Sequence, residues 1–160
     1  MAAMSVKIFP DLILRKKSRA VLNIGKEEKR ILIDMAETMY LKSGVGIAAV
    51  QIGVLKNMVV IDIGEGLMKL INPVIVKKEG VETQEEGCLS VPDKCVNVKR
   101  SKKIVVNYLN EDGGAVRLAS EGLLARVIQH EIDHLSGKLI IDYLSPLKKL
   151  CGSLTFRQKL

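Results

Sequence analysis

The chain has 160 residues and a mass of 17.6 kDa, a size that favours one compact domain over residues 1–160. Apolar residues make up 48% of the sequence, which argues against disorder, and no apolar run is long enough to cross a membrane, so we expect a cytoplasmic protein. The net charge of +7 favours contact with polyanions such as the ribosome, although lysines that only face solvent would explain the same charge. An aromatic content of 3% argues against sequence-specific nucleic-acid binding by proteins that stack bases on aromatic side chains.

The first part of the chain contains one predicted helix, followed by predicted strands. Residues 26–42 place apolar side chains at helical spacing opposite a charged face, which predicts an amphipathic helix. Residues 44–51 are too rich in small side chains for an ordinary strand or helix. Short β-branched runs at 58–63, 70–76 and 103–109 predict strands.

The second part of the chain contains a predicted hairpin and a second helix. Residues 110–114 are rich in turn formers and lead into residues 115–119, which predicts a hairpin. Residues 121–136 return to helical periodicity and end at Gly137, a residue type that often follows the last helical turn. Because strands in the middle and helices towards both ends do not alternate, the pattern predicts an α+β fold.

Both histidines of the chain lie in the second predicted helix, in the sequence H-E-I-D-H at 130–134. Residues four apart share one helix face, so His130 and His134 can bind the same cation. Glu131 lies about 100° around the helix from His130, beside this face, where it could act as a general base on a water molecule without being a ligand. Two buried imidazoles without a partner would be costly, which favours a metal site over a chance pair.

The third ligand is not a histidine, because the chain has only two. Zinc endopeptidases with a longer histidine motif place their third histidine where this chain has Ile140. A glutamate ligand downstream of the motif is also excluded, since Asp142 is the only acidic residue after His134. A metallopeptidase that cuts internal peptide bonds is therefore disfavoured.

Cys88 is the better candidate for the third ligand. It follows Gly87 in E-E-G-C-L-S at 85–90, where glycine allows the backbone to approach a metal or substrate closely. A thiolate binds borderline divalent ions strongly, although an ordinary buried cysteine remains the alternative. Cys95 and Cys151 have no comparable setting, and we interpret both as structural or incidental.

Three segments together resemble the peptide deformylase family. Its motif G-x-G-x-A-A-x-Q is present at 44–51, its motif E-G-C-L-S at 86–90, and its motif Q-H-E-x-D-H at 129–134. Their order and spacing match the family, with 42 residues from Cys88 to His130, and the similarity covers nearly the whole chain. The resemblance implies antiparallel sheets packed around a central metal-binding helix, with an N-terminal helix and a possible short C-terminal helix.

The activity implied by the resemblance is a metal-dependent hydrolase. It would remove the N-formyl group from the N-terminal formylmethionine of nascent polypeptides and release formate. Cys88, His130 and His134 would bind one divalent metal per chain, most often Fe(II) in the cell, with Zn, Ni or Co as substitutes in preparations. Glu131 would be the general base.

Further site residues follow from the same resemblance. Gln51, through its side-chain amide, and Leu89, through its backbone N–H, would stabilise the oxyanion. The methionine side chain would lie against apolar walls of the site. The residues expected to bind the substrate are Gly44, Val45, Gly46, Gly87 and Val127.

Four other residues are expected to support the site from outside. The resemblance implies that Asp133 pairs with Arg100, a structural role in which removal of either partner should destabilise a buried pair. Gln129 and Glu86 resemble residues that lie around the metal ligands.

A function from another class is the alternative, namely a non-catalytic basic protein associated with the ribosome or RNA, whose metal site only supports folding. A structural site would be closed by four protein ligands, whereas the nearby donors here number three, so an open catalytic site is favoured. Residues 148–159 contain four basic side chains and no acidic one, which gives the hypothesis that the C-terminal tail docks on the ribosome.

Overall fold

The structure, a computed structural model, describes residues 4–145. In this part of the chain there are two α-helices, α1 (Lys26–Leu41) and α2 (Gly122–Leu135). The strands are β1 (Gly46–Ala48), β2 (Met58–Ile61), β3 (Met68–Glu79), β4 (Glu82–Cys88), β5 (Val91–Arg100), β6 (Lys103–Leu109) and β7 (Ala115–Glu121). Short 3-10 helices lie at Leu12–Arg15, Ala49–Ile52 and Ile140–Tyr143. None of the described helices has the length and apolar character needed to span a membrane.

The strands form two antiparallel sheets. Five strands are arranged in the order β1-β2-β3-β6-β7, and β4 pairs with β5 in a separate two-stranded sheet. The predicted α+β fold with antiparallel sheets is therefore confirmed, and α2 packs against the five-stranded sheet.

Strand β2 is buried on both faces because the two helices cover opposite sides of it. Met58 and Val60 pack in the apolar cluster that contains the buried residues of α1. Val59 and Ile61 pack in the cluster that contains the buried residues of α2. This explains why the strand is a continuous apolar run rather than an alternating one.

The predicted hairpin joins β6 to β7. Leu109 pairs with Ala115 across it. The side chain of Asn110 accepts hydrogen bonds from the backbone N–H groups of Asp112 at 3.1 Å and Gly114 at 2.8 Å. An asparagine that caps its own turn in this way closes the hairpin locally.

Helix α2 ends next to Gly137, as the sequence predicts. Gly137 has a φ of +77°, and a Cβ atom on it would lie 2.5 Å from the carbonyl oxygen of Arg15. Its N–H donates to the carbonyl oxygen of His134 at 3.0 Å. Because only glycine combines this backbone conformation with so close a contact, Gly137 fixes the last turn of the helix, which contains His134.

Some elements differ from the predictions. Residues 46–48 form strand β1 and Ala49–Ile52 form a 3-10 helix, so the expectation that residues 44–51 form neither was wrong. Strand β3 continues beyond residue 76 to Glu79 through exposed charged residues, and β4 and β5 were not predicted at all. The expected C-terminal helix, the basic tail at 148–159 and Cys151 lie outside the described residues.

Candidate metal centre and active site

Three candidate metal ligands come together where β4 meets α2. Strand β4 ends at Cys88, and α2 contains His130 and His134. The Sγ atom of Cys88 lies 3.3 Å from Nε2 of His134, and the Nε2 atoms of the two histidines are 3.2 Å apart. All three ligand atoms lie within 4.8 Å of one another. The fold therefore brings together the three residues that the sequence predicts as ligands.

This donor set fits a divalent transition metal. A thiolate and two imidazoles are suitable ligands for zinc, iron, cobalt and nickel. The two rings meet edge to face, with 72° between their planes, so that both Nε2 atoms point towards the same space. Among the described residues this cluster offers three donors, which leaves a coordination position open for water or substrate, as in catalytic rather than structural sites.

The ring of His130 is oriented by Glu86. The Oε2 atom of Glu86 lies 2.9 Å from Nδ1 of His130, which leaves Nε2 directed at the other ligands. Burial would lower the pKa of His130, but its hydrogen bonds with Cys88 and Glu86 outweigh burial and raise the pKa to about 10. Burial would raise the pKa of Glu86, but hydrogen bonds from His130 and Arg100 hold that pKa at about 2. Glu86 is therefore a charged partner for the ligand.

Arg100 connects Glu86 to Asp133. Its Nε and Nη2 atoms donate to Oε1 and Oε2 of Glu86 at 2.9 and 3.0 Å. Its Nη1 atom lies 2.5 Å from Oδ2 of Asp133 and 2.8 Å from the hydroxyl oxygen of Tyr143. The structure thus places Arg100 and Asp133 in contact, as the sequence predicts.

Gln129 lies away from the metal ligands. Its side chain accepts a hydrogen bond from the backbone N–H of Ser101 at 3.0 Å and donates one to the carbonyl oxygen of Ser101 at 2.9 Å. It also donates to the carbonyl oxygen of Ala125. These contacts tie α2 to the chain after β5. The side chain of Gln129 therefore makes its hydrogen bonds there and not around the metal ligands, where we expected it.

Glu131 is buried beside the ligands and packs against Gly46. A Cβ atom on Gly46 would lie 2.6 Å from Oε1 of Glu131 and 2.9 Å from Cγ1 of Val127, so the carboxylate occupies space that any side chain at position 46 would take. Its Oε2 atom has no hydrogen-bond partner among the described residues. Burial raises the pKa of Glu131 to about 7, and burial lowers the pKa of His134 well below its usual value.

Gln51 brings a side-chain amide to the same place. Its Oε1 atom accepts a hydrogen bond from the backbone N–H of Ala48 at 2.8 Å, which fixes the orientation of the amide. Its Nε2 atom lies 3.1 Å from Oγ of Ser90 and 3.8 Å from Sγ of Cys88. Leu89, between these two residues in the sequence, lines the adjoining cavity.

A cavity of about 410 Å³ opens beside these groups. The residues expected to bind substrate all line it, namely Gly44, Val45, Gly46, Gly87 and Val127. Val127 is buried in the wall, whereas Val45 is 46% exposed. A Cβ atom on Gly44 would lie 2.9 Å from Cδ1 of Leu89, but one on Gly87 would meet nothing within 4 Å. Packing within the protein therefore accounts for the glycine at 44 but not for that at 87.

Arg126 is a residue of this site that the sequence analysis missed. It is buried, it lines the cavity, and its Nη1 atom donates to Oε1 of Glu86 at 2.8 Å. An arginine in an amphipathic helix normally lies on the solvent face. The one signal in the sequence is its spacing, because a residue four positions before His130 shares the metal-binding face of the helix.

Comparisons with known proteins agree with the geometry. The family model for polypeptide deformylase matches residues 3–150. A peptide deformylase of Thermoanaerobacter pseudethanolicus is 53% identical over 142 residues, which cover 89% of this chain and 89% of that protein. The crystal structure of peptide deformylase from Thermotoga maritima has a TM-score of 0.89 and 43% identity, covering 91% of this chain and 100% of that one. A peptide deformylase from Synechococcus elongatus in complex with actinonin has a TM-score of 0.89 and 38% identity, covering 94% and 84%.

The family match extends over most of the chain, and nothing in the comparisons supports the alternative of a non-catalytic protein associated with the ribosome or RNA. The chain belongs to the polypeptide deformylase family, the metal-dependent hydrolases that remove the N-formyl group from the N-terminal formylmethionine of nascent polypeptides.

Proposed function

We propose that this deformylase is a single catalytic domain over residues 1–160 that holds one metal ion with Cys88, His130 and His134 and uses Glu131 as its base. The observation that carries the proposal is the buried Glu131 carboxylate, whose Oε2 atom has no hydrogen-bond partner within residues 4–145 and which lines the same cavity as Cys88 and His130. An unpaired buried oxygen destabilises a fold, and a role in the reaction accounts for its presence.

The metal ligands and the base have separate tasks. When bound, the metal supplies a Lewis acid that polarises the formyl carbonyl and makes water a stronger nucleophile. Glu131 takes the proton of the attacking water and later delivers a proton to the departing amine nitrogen. The C–N bond of the formamide breaks, formate leaves, and the peptide keeps a free N-terminal amine. Gly46 supports this role because its missing side chain makes room for the Glu131 carboxylate.

Two donors outside the ligand set stabilise the developing negative charge. The Nε2 group of Gln51 is directed towards the Cys88 side of the cavity by the hydrogen bond that Oε1 accepts from Ala48. The backbone N–H of Leu89 is the second donor that we assign to the oxyanion. Fixed neutral donors of this kind stabilise the transition state without competing for the metal.

The cavity receives the methionine of the substrate. Val45 and Val127 supply apolar walls, and the glycines at 44, 46 and 87 allow a peptide to lie close to the backbone. A volume of about 410 Å³ is adequate for one long apolar side chain and its formamide.

In the cell we propose Fe(II) as the metal and a cytoplasmic location, with nascent chains met near the ribosome. The donor set accepts iron as well as zinc, nickel or cobalt, and the net charge of +7 favours proximity to ribosomal RNA. Truncation after Leu147, followed by co-sedimentation with ribosomes, tests the tail: weaker binding supports a docking role, and unchanged binding removes it.

The decisive experiment measures formate release from a formyl-Met tripeptide by protein loaded anaerobically with Fe(II) or Ni(II). Glu131→Ala should lower the rate by more than about 100-fold while one metal per chain is still bound. Glu79→Ala, which removes an exposed carboxylate paired with Lys77, is the matched control and should leave the rate unchanged. Activity retained in Glu131→Ala would overturn the assignment of the base.

A further inference from the structure

The carboxylate of Glu86 is held by two arginines that differ in their other contacts. Its Oε1 atom accepts from Nε of Arg100 at 2.9 Å and from Nη1 of Arg126 at 2.8 Å. Its Oε2 atom accepts from Nη2 of Arg100 at 3.0 Å and lies 2.9 Å from Nδ1 of His130. Both carboxylate oxygens are thus fixed, and with them the ring of His130.

Arg100 is shared between two carboxylates, whereas Arg126 is not. Arg100 lies at the end of β5 and also contacts Asp133. Arg126 lies in α2 and places its remaining hydrogen bonds on backbone carbonyl oxygens, from Nη1 to Val98 at 3.0 Å and from Nη2 to Glu82 at 3.0 Å. It therefore joins the helix that contains the histidines to both strands of the small sheet.

The position of this link matters because the candidate ligands come from the two elements that it joins. Cys88 is the last residue of β4, and His130 follows Arg126 by one turn of α2. A guanidinium that bonds β4, β5 and Glu86 at once resists any sliding of the helix along the sheet. It thereby fixes the separation of Cys88 from His130.

We propose that Arg126 is a positioning residue for the metal: it touches neither metal nor reacting atoms, and it acts by holding Glu86 against His130 and β4 against α2. This inference rests on the ligand set of the proposed function. Partners of metal ligands typically change metal affinity by about 10- to 100-fold when they are removed, and the contacts of Arg126 put it in this class.

The test compares Arg126→Met, Arg126→Lys and the control Arg117→Met, which removes an exposed arginine of β7 whose side chain hydrogen-bonds to Asn107. Zn(II) affinity is measured by competition with a chromophoric chelator, and the visible absorption of Co(II)-loaded protein reports the geometry of the thiolate and imidazole ligands. We expect about 10-fold or greater loss of affinity in Arg126→Met, with an altered Co(II) spectrum. Arg126→Lys should lower the Zn(II) affinity only severalfold, because its ammonium group can still reach Glu86. It cannot at the same time bond both carbonyl oxygens, so some affinity is lost.

Thermal unfolding of the metal-free variants separates this effect from misfolding. A folded Arg126→Met with wild-type Zn(II) affinity and Co(II) spectrum overturns the proposal. If Arg126→Met does not fold, Arg126→Lys decides: wild-type affinity overturns the proposal and a severalfold loss supports it. Formate release by the wild type is a separate readout, so its failure would count against the assigned catalytic roles and not against Arg126.

Discussion

Helix α1 and the five-stranded sheet are held together by aliphatic side chains, whereas the two-stranded sheet is fastened to α2 by buried charges. Leu32, Met35 and Met39 of α1 are fully buried among other apolar residues. At the other junction Arg100 and Arg126 are buried against Glu86. Apolar contacts are not directional, but charged hydrogen bonds fix distances and angles. The candidate metal ligands lie at the junction where geometry is fixed.

The largest effect that should separate the two junctions is that of Arg100→Met. The substitution keeps the apolar stem but leaves Asp133 without its guanidinium and Glu86 with only one, and breaking a buried ion pair costs about 3–5 kcal/mol. Urea unfolding measures this loss. The matched control is Arg30→Met, whose exposed pair with Asp34 is worth about 0.5 kcal/mol. If Arg100→Met lowered the free energy of unfolding no more than the control does, the view that buried charges hold the small sheet to α2 would be contradicted.

A smaller effect is expected when a residue of the apolar junction is changed at Leu32, which is fully buried in α1. Leu32→Ala should lower the free energy of unfolding by about 3 kcal/mol through lost burial and a cavity. Leu32→Met preserves volume and should cost less than about 1.5 kcal/mol. Urea unfolding measures both losses. Equal losses for the two variants would show that the apolar junction depends on exact side-chain shape, as the charged junction depends on exact geometry.

The smallest effect concerns the loss of stability at low pH that Glu28 in α1 causes when it is protonated. A hydrogen bond from Lys56, and then one from the backbone N–H of Gly25, lower the pKa of Glu28 to about 2. Because the folded pKa lies below the unfolded one, its contribution is complete above about pH 5 and is lost as the pH falls towards 2. Near the surface this is worth about 1 kcal/mol.

Glu28→Gln tests that contribution. Its stability deficit relative to the wild type should be full at pH 6 and shrink by pH 3, as measured by urea unfolding at both values. Glu27→Gln, which alters the neighbouring exposed partner of Lys56, is the control and should show a smaller deficit. A deficit for Glu28→Gln that does not depend on pH would show that the ion pair is not its cause.

Elements that bury one apolar face were predictable from periodicity. The helix predicted at 26–42 is α1 (Lys26–Leu41), and the hairpin of β6 and β7 follows from its turn residues. Strand β4 was missed because its well-buried residue is Glu86, so it shows no apolar alternation. The inward charge that hides the strand is the same one that orients His130, which is why the local pattern fails at the site.

The candidate ligands were predictable for a different reason. His130 and His134 are local neighbours. Cys88 was selected because the chain offers no third histidine and no downstream glutamate and because Gly87 precedes it, and the family resemblance implied the same ligand; the roles of these residues stay predictions until they are tested. Arg126 could not be identified in this way, because its place in the site depends on its hydrogen bond to Glu86, which is 40 residues away in the sequence. The contacts of a buried charge are set by tertiary structure, and periodicity contains no information about them.

Within residues 4–145 the buried Oε2 atom of Glu131 has no hydrogen-bond partner, and this has a consequence for how the enzyme could be improved. Because a buried carboxylate oxygen without a partner destabilises a fold, apolar replacements at this position should raise resistance to heat. If Glu131 is the base that we propose, a mutant library screened for heat resistance alone would enrich replacements of Glu131 and lose the reaction. Selection for heat resistance would then have to be coupled to selection for formate release.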